Sequence, residues 1–149
     1  MAIEIKVQPT KLKSQIKTEN LQTTAKKILE YLNLAETELS LVICDDPFIR
    51  DLNKNWRNQD KATDVLSFPQ SDNKQIEAFQ NKDNSLFPLL LGDIIISLET
   101  AQRQAEFSLE TEVCRLLIHG IAHLIGYDHK TQEEFEKMQV VEKDLLKLL

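Results

Sequence analysis

A chain of 149 residues, 42% hydrophobic and 28% charged, suits one folded domain that buries roughly two-thirds of its extended-chain surface. Its 18 basic and 24 acidic residues leave a net charge of −6, which excludes a protein that coats nucleic acid through bulk positive charge but not one with a local basic site. No apolar run approaches the ~20 residues of a membrane span, and the start MAIEIKVQPTKLK lacks an export pattern, so a cytoplasmic protein without membrane association is expected.

Taken in order, Ala2–Val7 alternates weakly and predicts a short strand. Leu21, Ala25, Ile28 and Leu32 recur at helical intervals and predict a helix to about Asn33. Leu39–Cys44 is a β-rich run, followed by Asp45-Asp46-Pro47, a helix opening for a second helix to about Trp56. Val65–Phe68 is the next strand. Gln70 to Phe87, rich in Asn, Gln, Ser, Asp and Lys, reads as a long polar loop. Leu89–Ile96 suits a strand covered on both faces. Leu98, Ala101 and Ala105 mark a short helix, Ser108 caps a helix to about Ile125, and Thr131-Gln-Glu-Glu134 opens a last helix. Its expected core face is Phe135, Met138, Val141, Leu145 and Leu148. Cys44 and Cys114 sit in apolar segments and read as small core residues, not a disulfide framework. The expectation is a single α+β domain over 1–149, with a small mixed four-stranded sheet packed with about five helices.

The chemistry concentrates in His119-Gly-Ile-Ala-His123-Leu-Ile-Gly126-Tyr-Asp-His129, which holds all three histidines and two of the three glycines. On a helix, His119 and His123 share a face, and both can reach one ion. Gly126 stands where a glycine would end the helix, so the turned chain can return His129 as a third ligand. Three protein ligands with one open position is the pattern of a catalytic zinc site. The spacing matches a zincin-like peptidase helix, but the base glutamate of such peptidases is Gly120 here, which disfavours a peptidase. Against a metal stands the ordinary reading of buried, hydrogen-bonded histidines; three at this spacing favour metal. Gly120 also has a packing reading, since it lies on one stripe with Val113, Leu117 and Leu124.

A second cluster runs from Asn53 to Pro69. Ile49, Leu52 and Trp56 form an apolar stripe, whereas Arg50, Lys54 and Arg57 share another face. By spacing alone those cations read as a solvated helix face in preference to phosphate binding.

HGIAHLIGYDH, RNQDKATDVLSFP and LLLGDIIIS together resemble the YbeY family of bacterial endoribonucleases, the rRNA maturation factors, with similarity from about Leu39 to His129. The resemblance implies a mixed sheet with helices on both sides and one zinc ion per chain on His119, His123 and His129. It also places Arg57 near the metal as a residue needed for activity, and Trp56 where an aromatic residue is usual. The implied activity is hydrolysis of single-stranded RNA in rRNA maturation and ribosome quality control, with a small-subunit rRNA precursor as substrate and ribosomal proteins as further partners. Arg57 would then stabilise charge on phosphorus, and Lys54 and Lys61 would steer the RNA backbone. Asp128, beside a ligand, reads as a turn residue or as an orienter of a histidine. The alternative is a non-catalytic ribosome-assembly factor with structural zinc.

Overall fold

The computed structural model describes residues 2–81 and 89–149. The elements run β1 (Ala2–Gln8), a 3₁₀ turn (Thr10–Gln15), α1 (Thr18–Tyr31), β2 (Glu38–Cys44), α2 (Asp46–Arg57) and β3 (Val65–Pro69). They continue through α3 (Asn73–Gln80), β4 (Leu90–Ser97), α4 (Leu98–Gln104), α5 (Leu109–Leu124) and α6 (Gln132–Leu146). The class is α+β, as expected. The strands form one mixed sheet of order β1-β2-β4-β3, parallel except for β3, which pairs antiparallel with β4 at the edge.

Strand alternation decides which side chains meet which helix. Leu39, Leu41 and Ile43 of β2 and Ile94 and Ile96 of β4 enter the main core with Leu21, Ala25 and Ile28 of α1 and Val113, Leu117 and Ile121 of α5. A fully buried Leu or Ile of this kind stabilises the fold by about 1.5–3 kcal/mol relative to exposure. On the opposite face Cys44, Leu66 and Ile95 receive Ile49 of α2. Helices therefore lie on both sides of the sheet, and β4 is covered on both faces as its sequence predicts. Both cysteines are buried, and the Cys44 thiol is pushed up to about 12 by that burial and by the neighbouring Asp45 and Asp46.

The helices begin where the caps predict. The Asp45 side chain accepts the Phe48 N–H at 3.1 Å, the Ser108 hydroxyl accepts the Thr111 N–H at 3.1 Å, and the Thr131 hydroxyl accepts the Glu134 N–H at 3.1 Å. Two expectations are corrected. The stretch from Gln70 is not all loop, because it holds α3. Asp72 accepts the Gln75 N–H at 2.8 Å and the Gln75 side chain accepts the Asp72 N–H at 2.9 Å, a reciprocal cap that starts a helix in polar sequence. Ile76 alone buries fully from that helix, with Phe79 packed beside it. The remainder of that expected loop, from residue 82, lies outside the described residues. On α6, Met138 and Leu145 are buried, but Phe135 is 42% exposed and does not join the core.

Candidate metal centre

The site begins with the end of α5. Gly126 has φ +104, its N–H donates to the His123 carbonyl at 3.0 Å, and the Tyr127 N–H donates to the Ala122 carbonyl at 3.0 Å. This double closure stops the helix and reverses the chain, and it needs a residue that tolerates positive φ. A Cβ on Gly126 would also collide with the Asn73 side chain of α3. The reversal carries His129 back to the helix face that bears His119 and His123.

The three rings surround a common point, with centroids 4.7, 5.2 and 5.9 Å apart pairwise. One nitrogen from each lies within 4.8 Å of the others, and among the described residues no fourth His, Cys or carboxylate joins this cluster. Ligands at ~2.0–2.1 Å on a tetrahedral ion stand ~3.3 Å apart; the Nε2 atoms of His119 and His123 are 3.2 Å apart. The donor set fits a borderline-soft divalent ion. Burial, then the adjacent His119 and His129, hold the His123 imidazole below its ordinary pKa, so it is neutral and able to donate its lone pair.

Glu142, on α6, completes the first histidine. His119 Nδ1 and Glu142 Oε1 are 2.5 Å apart, with both side chains about one-quarter exposed (26% and 25%). A carboxylate on Nδ1 favours the tautomer whose Nε2 lone pair is free for a metal ion. Glu142 is absent from the sequence reading. Its signal is positional: with Met138 and Leu145 it falls on one face at i, i+4 and i+7, so a carboxylate interrupts a buried stripe.

A cleft of about 640 Å³ opens on the three histidines, with Arg57, Thr63, Asp64, Ser67 and Lys130 among its other walls. Arg57 comes from the last turn of α2, which Asn58 ends in a left-handed conformation at φ 57. Its Nη2 donates to the Ser67 carbonyl at 2.8 Å, and its Cζ lies 5.4 Å from the Phe68 ring centroid. The guanidinium is thereby aimed along β3 and into the cleft. Position 120 explains the missing glutamate. A Cβ on Gly120 would meet Ile94 Cγ2 at 2.9 Å and Cδ1 at 3.0 Å, so this side of α5 is pressed onto β4. A side chain there would enter the sheet.

The model of the family described as Endoribonuclease YbeY matches residues 5–149. This chain belongs to that family. The Endoribonuclease YbeY of Sulfurihydrogenibium sp. (strain YO3AOP1) is 49% identical over 121 residues, covering 79% of this chain and 73% of that protein. The Endoribonuclease YbeY of Aquifex aeolicus (strain VF5) is 43% identical over 141 residues, covering 92% and 87%. The solution structure of TM1509 from Thermotoga maritima is similar with a TM-score of 0.56 and 26% identity, over 97% of this chain and 89% of that one.

Within this YbeY-family fold the expected site residues separate into two groups. His119, His123, His129 and Arg57 share the cleft. Lys54 and Lys61 do not reach it. They line the neighbouring groove with Arg50, Asp46, Asp51 and Asp60, where Arg50 is paired to Asp60 at 2.8 Å. The apolar stripe on α2 runs from buried Ile49 out to Trp56, which is 71% exposed. Asp128 orients no histidine ring. Its Oδ1 accepts the backbone N–H of His129 at 2.8 Å, which holds its carboxyl below the ordinary range. Asp64 is tied to α5 through Gln104, whose amide donates to Asp64 Oδ2 at 3.2 Å and to Glu112 Oε2 at 3.0 Å. Glu112 is in turn clamped by Arg115 at 2.9 and 2.6 Å. These links brace the cleft wall against the helix that carries the histidines.

Proposed function

We propose that this chain acts as one domain over residues 1–149, a zinc-dependent endoribonuclease that cuts single-stranded RNA in the cytoplasm. Its substrate is a small-subunit rRNA precursor, its setting rRNA maturation and ribosome quality control, and ribosomal proteins are further partners. The observation that carries this reading is the convergence in one cleft of three imidazoles and one arginine from separate elements. The relatives described as endoribonucleases support the reaction class.

His119, His123 and His129 would hold one zinc ion where the cleft opens on them. When bound, zinc supplies Lewis acidity toward a phosphate oxygen and toward water. Glu142 keeps the Nδ1 proton of His119 and so keeps Nε2 free of one. Arg57, held in place by the Ser67 carbonyl and the Phe68 ring, offers its other N–H groups to the phosphate as charge builds there. Lys54 and Lys61 attract the RNA backbone from the adjacent groove, a contribution that falls with salt. No fourth protein ligand stands by the histidines among the described residues, which favours an open catalytic ion over a closed structural one. Peptide hydrolysis is disfavoured because position 120 has no room for a base.

Elemental analysis coupled to cleavage of a single-stranded RNA, with and without chelator, tests this reading. Chelation and His123→Ala should each remove metal and abolish cutting. Arg57→Lys should retain metal and lose about 100-fold in rate, because the point charge cannot make the fork. Full activity of the metal-free protein would refute the metal's role, and wild-type turnover by Arg57→Lys would refute the phosphate clamp.

A further inference from the structure

Helix α2 covers only part of its side of the sheet. Beyond Ile49 an apolar groove of about 340 Å³ runs between α2 and the strands, lined by Phe48, Leu52, Trp56, Val42, Phe68 and Ile95. A single exposed aromatic needs no explanation, but here a largely exposed Trp56 and two half-buried phenylalanines surround one depression. Its polar end is Asp93 with Gln70, whose amide nitrogen donates to Asp93 Oδ2 at 3.2 Å. These two side chains present acceptor oxygens, and no lysine or arginine lines the groove among the described residues. A phosphate would be repelled here. A flat ring with a hydrogen-bond donor on its edge would be held on both counts, by stacking and by the acceptors. The volume is at the low end of the ~300–1,000 Å³ of small-ligand sites, room for one ring system and not for a peptide segment.

The groove and the metal cleft share a wall. Trp56 and Arg57 are consecutive, and Arg57 lines the cleft while its guanidinium packs on Phe68 of the groove. On β3 the same division holds, with Ser67 lining the cleft and Phe68 the groove. We infer that this groove binds an unpaired nucleobase carrying an exocyclic amine, adjacent to the phosphate held by Arg57. This rests on the endoribonuclease reading and adds a base subsite to it.

Trp56 is the only tryptophan in the chain, so the indole itself reports on the subsite. The metal-loaded, full-length protein is titrated with short single-stranded oligocytidylate and oligouridylate. Cytosine carries an exocyclic amine whose two protons can reach both acceptor side chains, whereas uracil offers only its single N3–H between two carbonyls. Saturable quenching of Trp56 fluorescence is expected, with oligocytidylate bound more tightly. Trp56→Ala should raise KM about tenfold, with kcat changed by less than about twofold, as for an interaction made equally in ground and transition state. Trp56→Phe should recover most of that loss, and Asp93→Ala, which removes both carboxylate oxygens, should reduce the preference for cytosine. Metal content and circular dichroism confirm that each variant is folded. Wild-type RNA that leaves the indole unquenched, or an unchanged KM in Trp56→Ala, overturns the subsite while leaving the nuclease reading intact. So does a Trp56→Ala variant that loses affinity for a ribosomal protein but not for RNA, since the patch is then a protein-docking face. Failure of the wild type to cut either oligomer overturns the nuclease reading itself, and the subsite with it.

Discussion

Replacing Glu142 by alanine removes the acceptor that fixes His119. The bond is short, 2.5 Å from Nδ1 to Oε1, and each partner is about one-quarter exposed, so water only partly replaces what is lost. A hydrogen bond to a charged group contributes about 1.5–3 kcal/mol, and loss of such a partner behind a metal ligand weakens metal binding by about 10- to 100-fold. Partial exposure places the expectation toward the lower end. Competition with a chromophoric chelator at fixed pH measures the affinity directly. Glu142→Gln, which still offers an oxygen to Nδ1 but no charge, should fall between wild type and Glu142→Ala. Melting of the metal-free proteins separates this effect from a general loosening of α6, because only the metal-loaded form gains from an oriented ring. Metal Kd values for wild type and Glu142→Ala within about twofold of each other would refute the orienting role, since the smallest effect expected of such a partner is about tenfold.

Gly120→Ala should destabilise the fold. Its methyl group would lie 2.9–3.2 Å from the fully buried Ile94 side chain, and overpacking of about 1–3 kcal/mol exceeds the helix gain of about 1 kcal/mol for alanine over glycine. Urea unfolding measures it, and unchanged stability would mean that α5 has slack against β4. Acid should weaken the fold through Asp46 and Glu112. Burial raises the Asp46 pKa but is outweighed by hydrogen bonds from Ser97, Thr100 and Arg103, and the Glu112 pKa is lowered chiefly by Arg115, so both folded values lie below the ordinary 3.8 and 4.5. Their stabilisation is complete above those ordinary values and is lost as pH falls through the lower folded ones. Thermal melts from pH 7 to pH 3 should show the decline, and Asp46→Asn should flatten it.

The parts legible in the sequence were those governed by local rules. Ser108 and Thr131 announced helix starts because a cap is a contact across three residues, Asp46-Pro47 announced another although the capping side chain is Asp45, and Gly126 announced the turn because its backbone demands φ > 0. The histidines were legible for the same reason, since their convergence needs only one helix and one reversal. Strand order was not, because β2 pairs with β4 across an interval that holds α2, β3 and α3. Helix α3 escaped because its signal is a polar cap, Asp72 with Gln75, and a single buried Ile76, too little apolar periodicity to separate it from loop. The stripe of Ile49, Leu52 and Trp56 was legible, but periodicity does not say that it closes on the sheet only at Ile49 and stands off it as a groove at Trp56. Glu142 required knowing that α6 lies against α5, which pattern alone does not give.

Two of the three histidines proposed to hold a cation ride on a single helix and the third follows one short reversal, whereas Glu142 comes from the next helix and Arg57 from a distant part of the chain. On that reading, gathering the three ligands is a local matter, while orienting them needs α6 and completing the centre needs the whole tertiary fold. A nascent or damaged molecule that keeps α5 and its turn but lacks α2 and α6 would then bind an ion weakly and would not cut. Metal content and catalytic competence are, in this architecture, separate accounts of how far folding has gone.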